Sequence, residues 1–265
     1  MMRVQRTTRV RRSVILPSFW YQPWLYVGLL GATEIVSDIW NPVLGIWLHV
    51  FLAVAIGWQG TQETNLDRRH FYWVLAVLAL VRVISFAISA HSLPGVWYYV
   101  LAETPLMVAT LVARRAFGLS WSKIGVQWSR YWVLGLLVVG TGPALGLAES
   151  HIIHPAALIG SLSWGHAIVP SVFLIIFTGL TEELLFRGLL QYYAVKIMGN
   201  WAGIVFVAVA WSLLHIGWHS AWDVLFVFGV GLVWGWVRQK TGSIVPTTIA
   251  HGLANIVLFL IVPFQ

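Results

Sequence analysis

The chain has 265 residues, 59% of them hydrophobic and 9% charged, with a mean hydropathy of +0.81 and 17 tryptophans. This composition excludes an ordinary soluble domain and points to a polytopic membrane protein. The net charge of +7 does not mark a nucleic-acid binder, because Lys and Arg fall at the ends of apolar segments, and the lack of cysteine removes disulfides, thiolate metal sites and cysteine nucleophiles.

The basic start MMRVQRTTRVRR reads as a cytoplasmic flank, residues 1–18, and as a contact for anionic lipid. A signal peptide fits less well, since the span behind it is long, acidic and without a convincing small-residue cleavage site. Apolar windows of bilayer-crossing length follow near 19–40, 43–58, 71–90, 97–113, 131–148, 167–190, 201–218, 222–237 and 246–262. The first two are the least certain as separate spans. Asn41-Pro42 between them suits a tight hairpin or a re-entrant pair, and Glu34 and Asp38 make the first costly to bury. The expected architecture is all-α, a polytopic transmembrane helical bundle of eight or nine spans. It forms one integral-membrane domain, with N-terminal transmembrane helices over 19–166 and a C-terminal transmembrane core over 167–265.

With the N-terminus cytoplasmic, fourteen of the sixteen Lys and Arg fall in inside segments, and Arg82 and Arg187 fall within spans. The outside loops carry none, which favours nine spans and an outside C-terminus. Tryptophans near span ends, such as Trp24, Trp58, Trp132 and Trp201, read as an interfacial belt.

A charge at mid-membrane costs at least about 2.5 kcal/mol on insertion scales, so each needs a partner or a role. Glu34, Asp38, Arg82 and Glu103 are read as internally paired, for instance Arg82 with Glu103. The stretch FTGLTEELLFRGLLQYY differs. Glu183 and Arg187 stand at i and i+4 on one face, whereas Glu182 is rotated by about 100° and is left over. A carboxylate without a cation in low dielectric is an avid proton acceptor, as a general base must be. Later spans supply partners: AWSLLHIGW sets His215 four residues after Trp211, and PTTIAHGLANIV sets His251 and Asn255 at i and i+4, with Pro246 suited to the first turn of that helix. A single histidine of this kind reads more naturally as a hydrogen-bonded structural residue. Three spans each delivering such groups do not, while HExxH, GxSxG and P-loop signatures are absent.

These residues resemble the motifs of the CPBP family, the CAAX-protease and bacteriocin-processing intramembrane proteases also called Abi. EELLFR matches E-E-x-x-x-R, HGLAN matches H-x-x-x-N, and WSLLH matches F-x-x-x-H with Trp211 in place of Phe, at a position expected to pack. The resemblance covers about the last 100 residues. It implies a glutamic-type intramembrane endopeptidase acting on a membrane-associated peptide or protein, in some members a lipidated one, in the bilayer of a bacterial cytoplasmic membrane. In that scheme Glu182 and His215 activate water, His251 and Asn255 stabilise the oxyanion, Glu183 and Arg187 support the site, and no cofactor is used.

Two alternatives stand beside it. Glu182, His215 and His251 suit a catalytic zinc site with an open position. A non-proteolytic scaffold or bacteriocin-immunity protein would keep the fold, although all the polar motif positions are filled here. His151, His154 and His166, placed in an outside loop with Glu149, and His49, His70, His91 and His219 near span ends lack ligand spacing. With straight helices, taking about 1.5 Å per residue, His215 lies roughly 8 Å outward of mid-membrane and Glu182 slightly inward, a gap that tilt or kinking must close.

Overall fold

The computed structural model describes residues 18–88, 93 and 95–265; the basic flank and His91 lie outside these. The described residues form nine helical units. They are α1 (Ser18–Ile35, running on through a wider turn, Val36–Trp40), α2 (Pro42–Gln62), α3 (Leu66–Ala87), α4 (Trp97–Ala116), α5 (Trp132–Ile153), α6 (Trp164–Met198), α7 (Asn200–Leu213, then a tight turn at Ile216–Trp218), α8 (Ala221–Thr241) and α9 (Val245–Phe264). Seven of them, all but α1 and α4, are long and apolar enough to cross a membrane. The molecule is an all-α, multi-pass integral membrane protein, and its helices fall on the nine expected windows.

Local signals set the helix starts. Asn41 closes the α1–α2 hairpin, its Oδ1 accepting from the Leu44 N–H at 3.0 Å with Pro42 behind it, and Asn65 does the same for Arg68 N–H at 3.0 Å. Pro246 occupies the first turn of α9. Gly242, at φ +71°, ends α8 in the left-handed conformation that glycine adopts freely.

Consecutive helices run antiparallel, joined by connections of one to fifteen residues, and contacts tie their ends together. At one end Lys196 Nζ donates to Asp67 at 2.9 Å, Gln239 to Asn200 at 3.2 Å, and Arg238 to the Lys123 carbonyl at 2.8 Å. At the other, Leu158 N–H donates to the Phe259 carbonyl at 3.2 Å and Trp218 stacks on Phe259.

Close backbone approach holds α9 against α5. Gly142 and Gly146 lie one turn apart, and a Cβ on Gly142 would stand 2.5 Å from the Ala250 carbonyl oxygen; one on Gly146 would run into Ala254. In lipid, where apolar surface gives helices no reason to associate, such contacts carry the packing.

The buried charge of the N-terminal half is paired differently from the expected Arg82–Glu103 pair. Arg82 donates from Nε and Nη2 to both oxygens of Glu34, each at 2.7 Å, and His49 Nε2 lies 3.4 Å from the same carboxylate. The fork of a guanidinium matches a carboxylate edge to edge, and the fully buried Glu34 offers that edge. Arg82→Met would strand Glu34 and cost about 3 kcal/mol, read as a lower melting temperature in detergent. Adding Glu34→Gln recovers part of the loss.

Candidate active site

α6 carries the carboxylate pair, and it is wound unevenly. Leu174–Leu180 and Leu184–Leu190 are wider turns of i→i+5 type, with one ordinary helical stretch, Thr181–Glu183, between them. Such turns concentrate at functional sites because they re-aim side chains. Threonine hydroxyls take up carbonyls there: Thr178 Oγ1 donates to Leu174 O, and Thr181 Oγ1 to Ile176 O at 3.0 Å. α7 ends at Leu213, so His215 sits in the turn beyond the helix, its Nδ1 3.3 Å from the Trp211 carbonyl oxygen. Glu182 and His215 line one cavity, with Trp211 between them.

The two carboxylates have different surroundings. Glu183 is fully buried and saturated: Oε1 accepts from Arg187 Nη1 at 2.8 Å, Oε2 from Thr247 Oγ1 at 2.7 Å, and His251 Nδ1 lies 3.7 Å from Oε1. Glu182 faces the cavity, and among the described residues no cation is in contact with it; its Oε2 accepts from Trp211 Nε1 at 2.7 Å.

Trp211 was expected to pack only, and the structure corrects that. Its indole N–H meets Glu182, its face lies 4.0 Å from the Arg187 guanidinium carbon, and its ring stands edge-to-face with His215 at 5.5 Å and His251 at 5.6 Å between centroids. Arg187 Nη2 has no hydrogen-bond acceptor, and the rings of Trp211 and, at 5.5 Å, Trp234 receive that cationic face instead. A phenylalanine could supply the face but not the N–H.

On α9, His251 and Asn255 line the same cavity as Glu182 and His215. Asn255 Nδ2 donates to Thr178 Oγ1 at 2.8 Å, which fixes the amide and leaves its second N–H unspent. The cavity holds about 780 Å³ and also takes in Glu103 of α4 and Glu149 of α5. Sequence reading placed Glu149 in an outside loop; α5 runs on to Ile153 and carries it inward. An acidic residue closing so apolar a run was the signal that could have found it.

Glu182, His215 and His251, the alternative zinc set, all line the cavity. Among the described residues no three His, Asp or Glu side chains come together as metal ligands. His251 instead turns Nδ1 toward Glu183. Three further histidines have hydrogen-bond partners: His70 Nδ1 lies 3.0 Å from the Tyr193 hydroxyl, His151 Nδ1 2.9 Å from Leu147 O, and His166 Nδ1 2.7 Å from Ser161 Oγ.

No curated protein and no solved structure matches the chain. Residues 164–257 match a family model, Rce1-like, described as type II CAAX prenyl endopeptidase Rce1-like. The matched segment holds all three motifs and every residue of the two-carboxylate arrangement, and it bears out the resemblance on which the motifs were read. Over α6 to α9 the chain is similar to the CAAX endopeptidases, a family of intramembrane proteases.

Proposed function

We propose that the protein is an intramembrane endopeptidase of glutamic type, hydrolysing a peptide bond in a membrane-associated protein or peptide. The observation that carries this reading is the division between adjacent carboxylates: Glu183 is consumed by Arg187 and Thr247, while Glu182 faces a cavity shared with His215, His251 and Asn255.

Glu182, with His215, takes a proton from a water molecule as its oxygen attacks the scissile carbonyl carbon. A C–O bond forms, and the carbonyl π pair moves to oxygen. His251 and Asn255 donate to that oxyanion, in a setting where little water competes and each hydrogen bond counts for more. The C–N bond then breaks, the proton held by Glu182 passes to the leaving amine, and the acid and amine ends separate. Trp211 acts as a positioning residue. Its N–H holds Oε2, which leaves Oε1 to face the water. No step calls for a metal.

Three expected outcomes follow from these roles. Glu182→Gln keeps the shape but cannot take the proton, so turnover falls by at least about 10²-fold with little change in melting temperature. Glu183→Gln leaves Arg187 buried with its charge uncompensated, costing on the order of 3 kcal/mol, and it appears first as lost thermal stability. Glu183→Gln with Arg187→Met recovers part of that loss, whereas no change at Arg187 rescues Glu182→Gln. A double-mutant cycle in melting temperature, read beside turnover, separates the two carboxylates. A fully stable but inactive Glu183→Gln, or an active Glu182→Gln, overturns the assignment.

Trp211→Phe keeps an aromatic face for Arg187 and removes the donor to Glu182. It lowers kcat about tenfold, the worth of one charge-assisted hydrogen bond at about 1.5 kcal/mol, with KM and melting temperature little changed. Site-specific 3-benzothienylalanine, which keeps the bicycle and replaces N–H by sulfur, reproduces the loss of kcat at unchanged KM if the hydrogen bond is responsible. An unchanged kcat in that variant reduces Trp211 to packing.

A further inference from the structure

The cavity is distributed asymmetrically along the bundle. α3 lines it with Leu78 to Phe86, the half away from Leu66, and α4 with Tyr98 to Leu106, its first half. α5 contributes Glu149 near its end, α7 contributes Trp211 and the turn beyond, and α9 its stretch from His251 to Phe259. α1 and α2 reach it only where they meet, at Ser37, Asp38 and Pro42. Because successive helices are antiparallel, all these halves lie at the same end. That end is marked by the Leu158–Phe259 bond and the Trp218–Phe259 stack, and Leu158, Trp218 and Phe259 themselves line the cavity. Glu182, near the middle of the 35-residue α6, is among its deepest groups.

The opposite end carries the cations. Arg68 and Arg69, Arg114 and Arg115, Lys123 and Arg130, Lys196, Arg238 and Lys240 all lie at the helix ends tied by the Asp67–Lys196, Asn200–Gln239 and Lys123–Arg238 contacts. None of these residues lines the cavity, and neither does any connecting loop at that end. Among the described residues the cavity end has no Lys or Arg other than Arg82, which is bound to Glu34. Lys and Arg collect in cytoplasmic loops because they resist translocation. The two asymmetries therefore coincide: the cavity and the cations occupy opposite faces of the membrane.

We infer that the cavity is entered from the face opposite the cytoplasm, and that the substrate is a polypeptide segment presented from that face, one exported or inserted across the membrane before it is cut. The word substrate rests on the endopeptidase reading; the direction of access does not. A tail anchored to the cytoplasmic leaflet would have to cross the half of the bundle that contributes nothing to the cavity, so the site selects against it by geometry.

The absence of native cysteine makes the test direct. Single cysteines are placed at Leu158, on the cavity wall, at Leu162, on the surface of the cavity end, and at Ser122, exposed at the cationic end. Sealed spheroplasts are treated with a membrane-impermeant maleimide before and after lysis. Leu162→Cys and Leu158→Cys are expected to react in sealed spheroplasts, and Ser122→Cys only after lysis. The reverse pattern overturns the inference. So does a Leu158→Cys that stays unreactive in sealed spheroplasts while Leu162→Cys reacts, since the cavity is then not open to that face. In parallel, membrane proteomes of wild type and Glu182→Gln are compared for new chain ends. Cut ends in segments facing away from the cytoplasm are expected, and ends in cytoplasmic tails overturn the inference. Labelling as expected with no changed ends leaves the access route standing and removes the endopeptidase reading; reversed labelling with changed ends does the opposite.

Discussion

Arg187 has 1% of its surface exposed, in the interior of a membrane protein, and the C-terminal core is built around making that tolerable. An ion buried without compensation costs several kcal/mol. Here Glu183 supplies the opposite charge, Thr247 from α9 completes the carboxylate, and the faces of Trp211 and Trp234 cover the guanidinium. These contacts draw α6, α7, α8 and α9 to one point. The side chains proposed for catalysis hang from the same elements: Glu182 beside Glu183, His215 one turn from Trp211, His251 one turn from Thr247. The geometry of the site is thus a by-product of neutralising one charge.

Glu182 escapes that network while depending on it. It lies next to a saturated carboxylate and, among the described residues, receives only the Trp211 N–H, so its remaining acceptor capacity faces the cavity. Were it to share Arg187, its oxygens would be committed to that ion pair rather than to a water molecule. The i,i+4 spacing assigns the arginine to one carboxylate, and the rotation between adjacent residues withholds it from the other.

The helical pattern was readable because hydropathy reports the solvent each segment faces, and lipid leaves a long apolar run wherever a helix crosses. The nine windows, the Asn41-Pro42 turn and Pro246 at a helix start follow from such local chemistry. The candidate site stood out for a related reason: polar and charged groups are too costly in a bilayer to be incidental, which singles out Glu182, Glu183, Arg187, His215, His251 and Asn255. Choices of partner were not legible. Arg82 finds Glu34 across 48 residues of chain rather than Glu103, and nothing local to either announces it. The Trp211 N–H reads as one more apolar ring until its neighbour is known. Glu149 was assigned to a loop because a hydropathy window ends several residues before the helix does.

The glycines along α9 have a consequence for how a substrate is accommodated. Gly142 and Gly146 bring α5 onto one side of α9, and on another side Gly179 of α6 meets Thr248 and Gly252, while Gly252 meets Ile175. A helix held by backbone contact on two flanks has little freedom to rotate or slide, so the wall bearing His251 and Asn255 behaves as a fixed anvil. The facing wall, from α1 to α4, contacts the cavity through longer side chains such as Tyr98, Tyr99, Phe86 and Leu78. Adaptation to polypeptides of different bulk therefore falls to that half. Recognition can drift there, residue by residue, while the chemistry across the cavity stays in register.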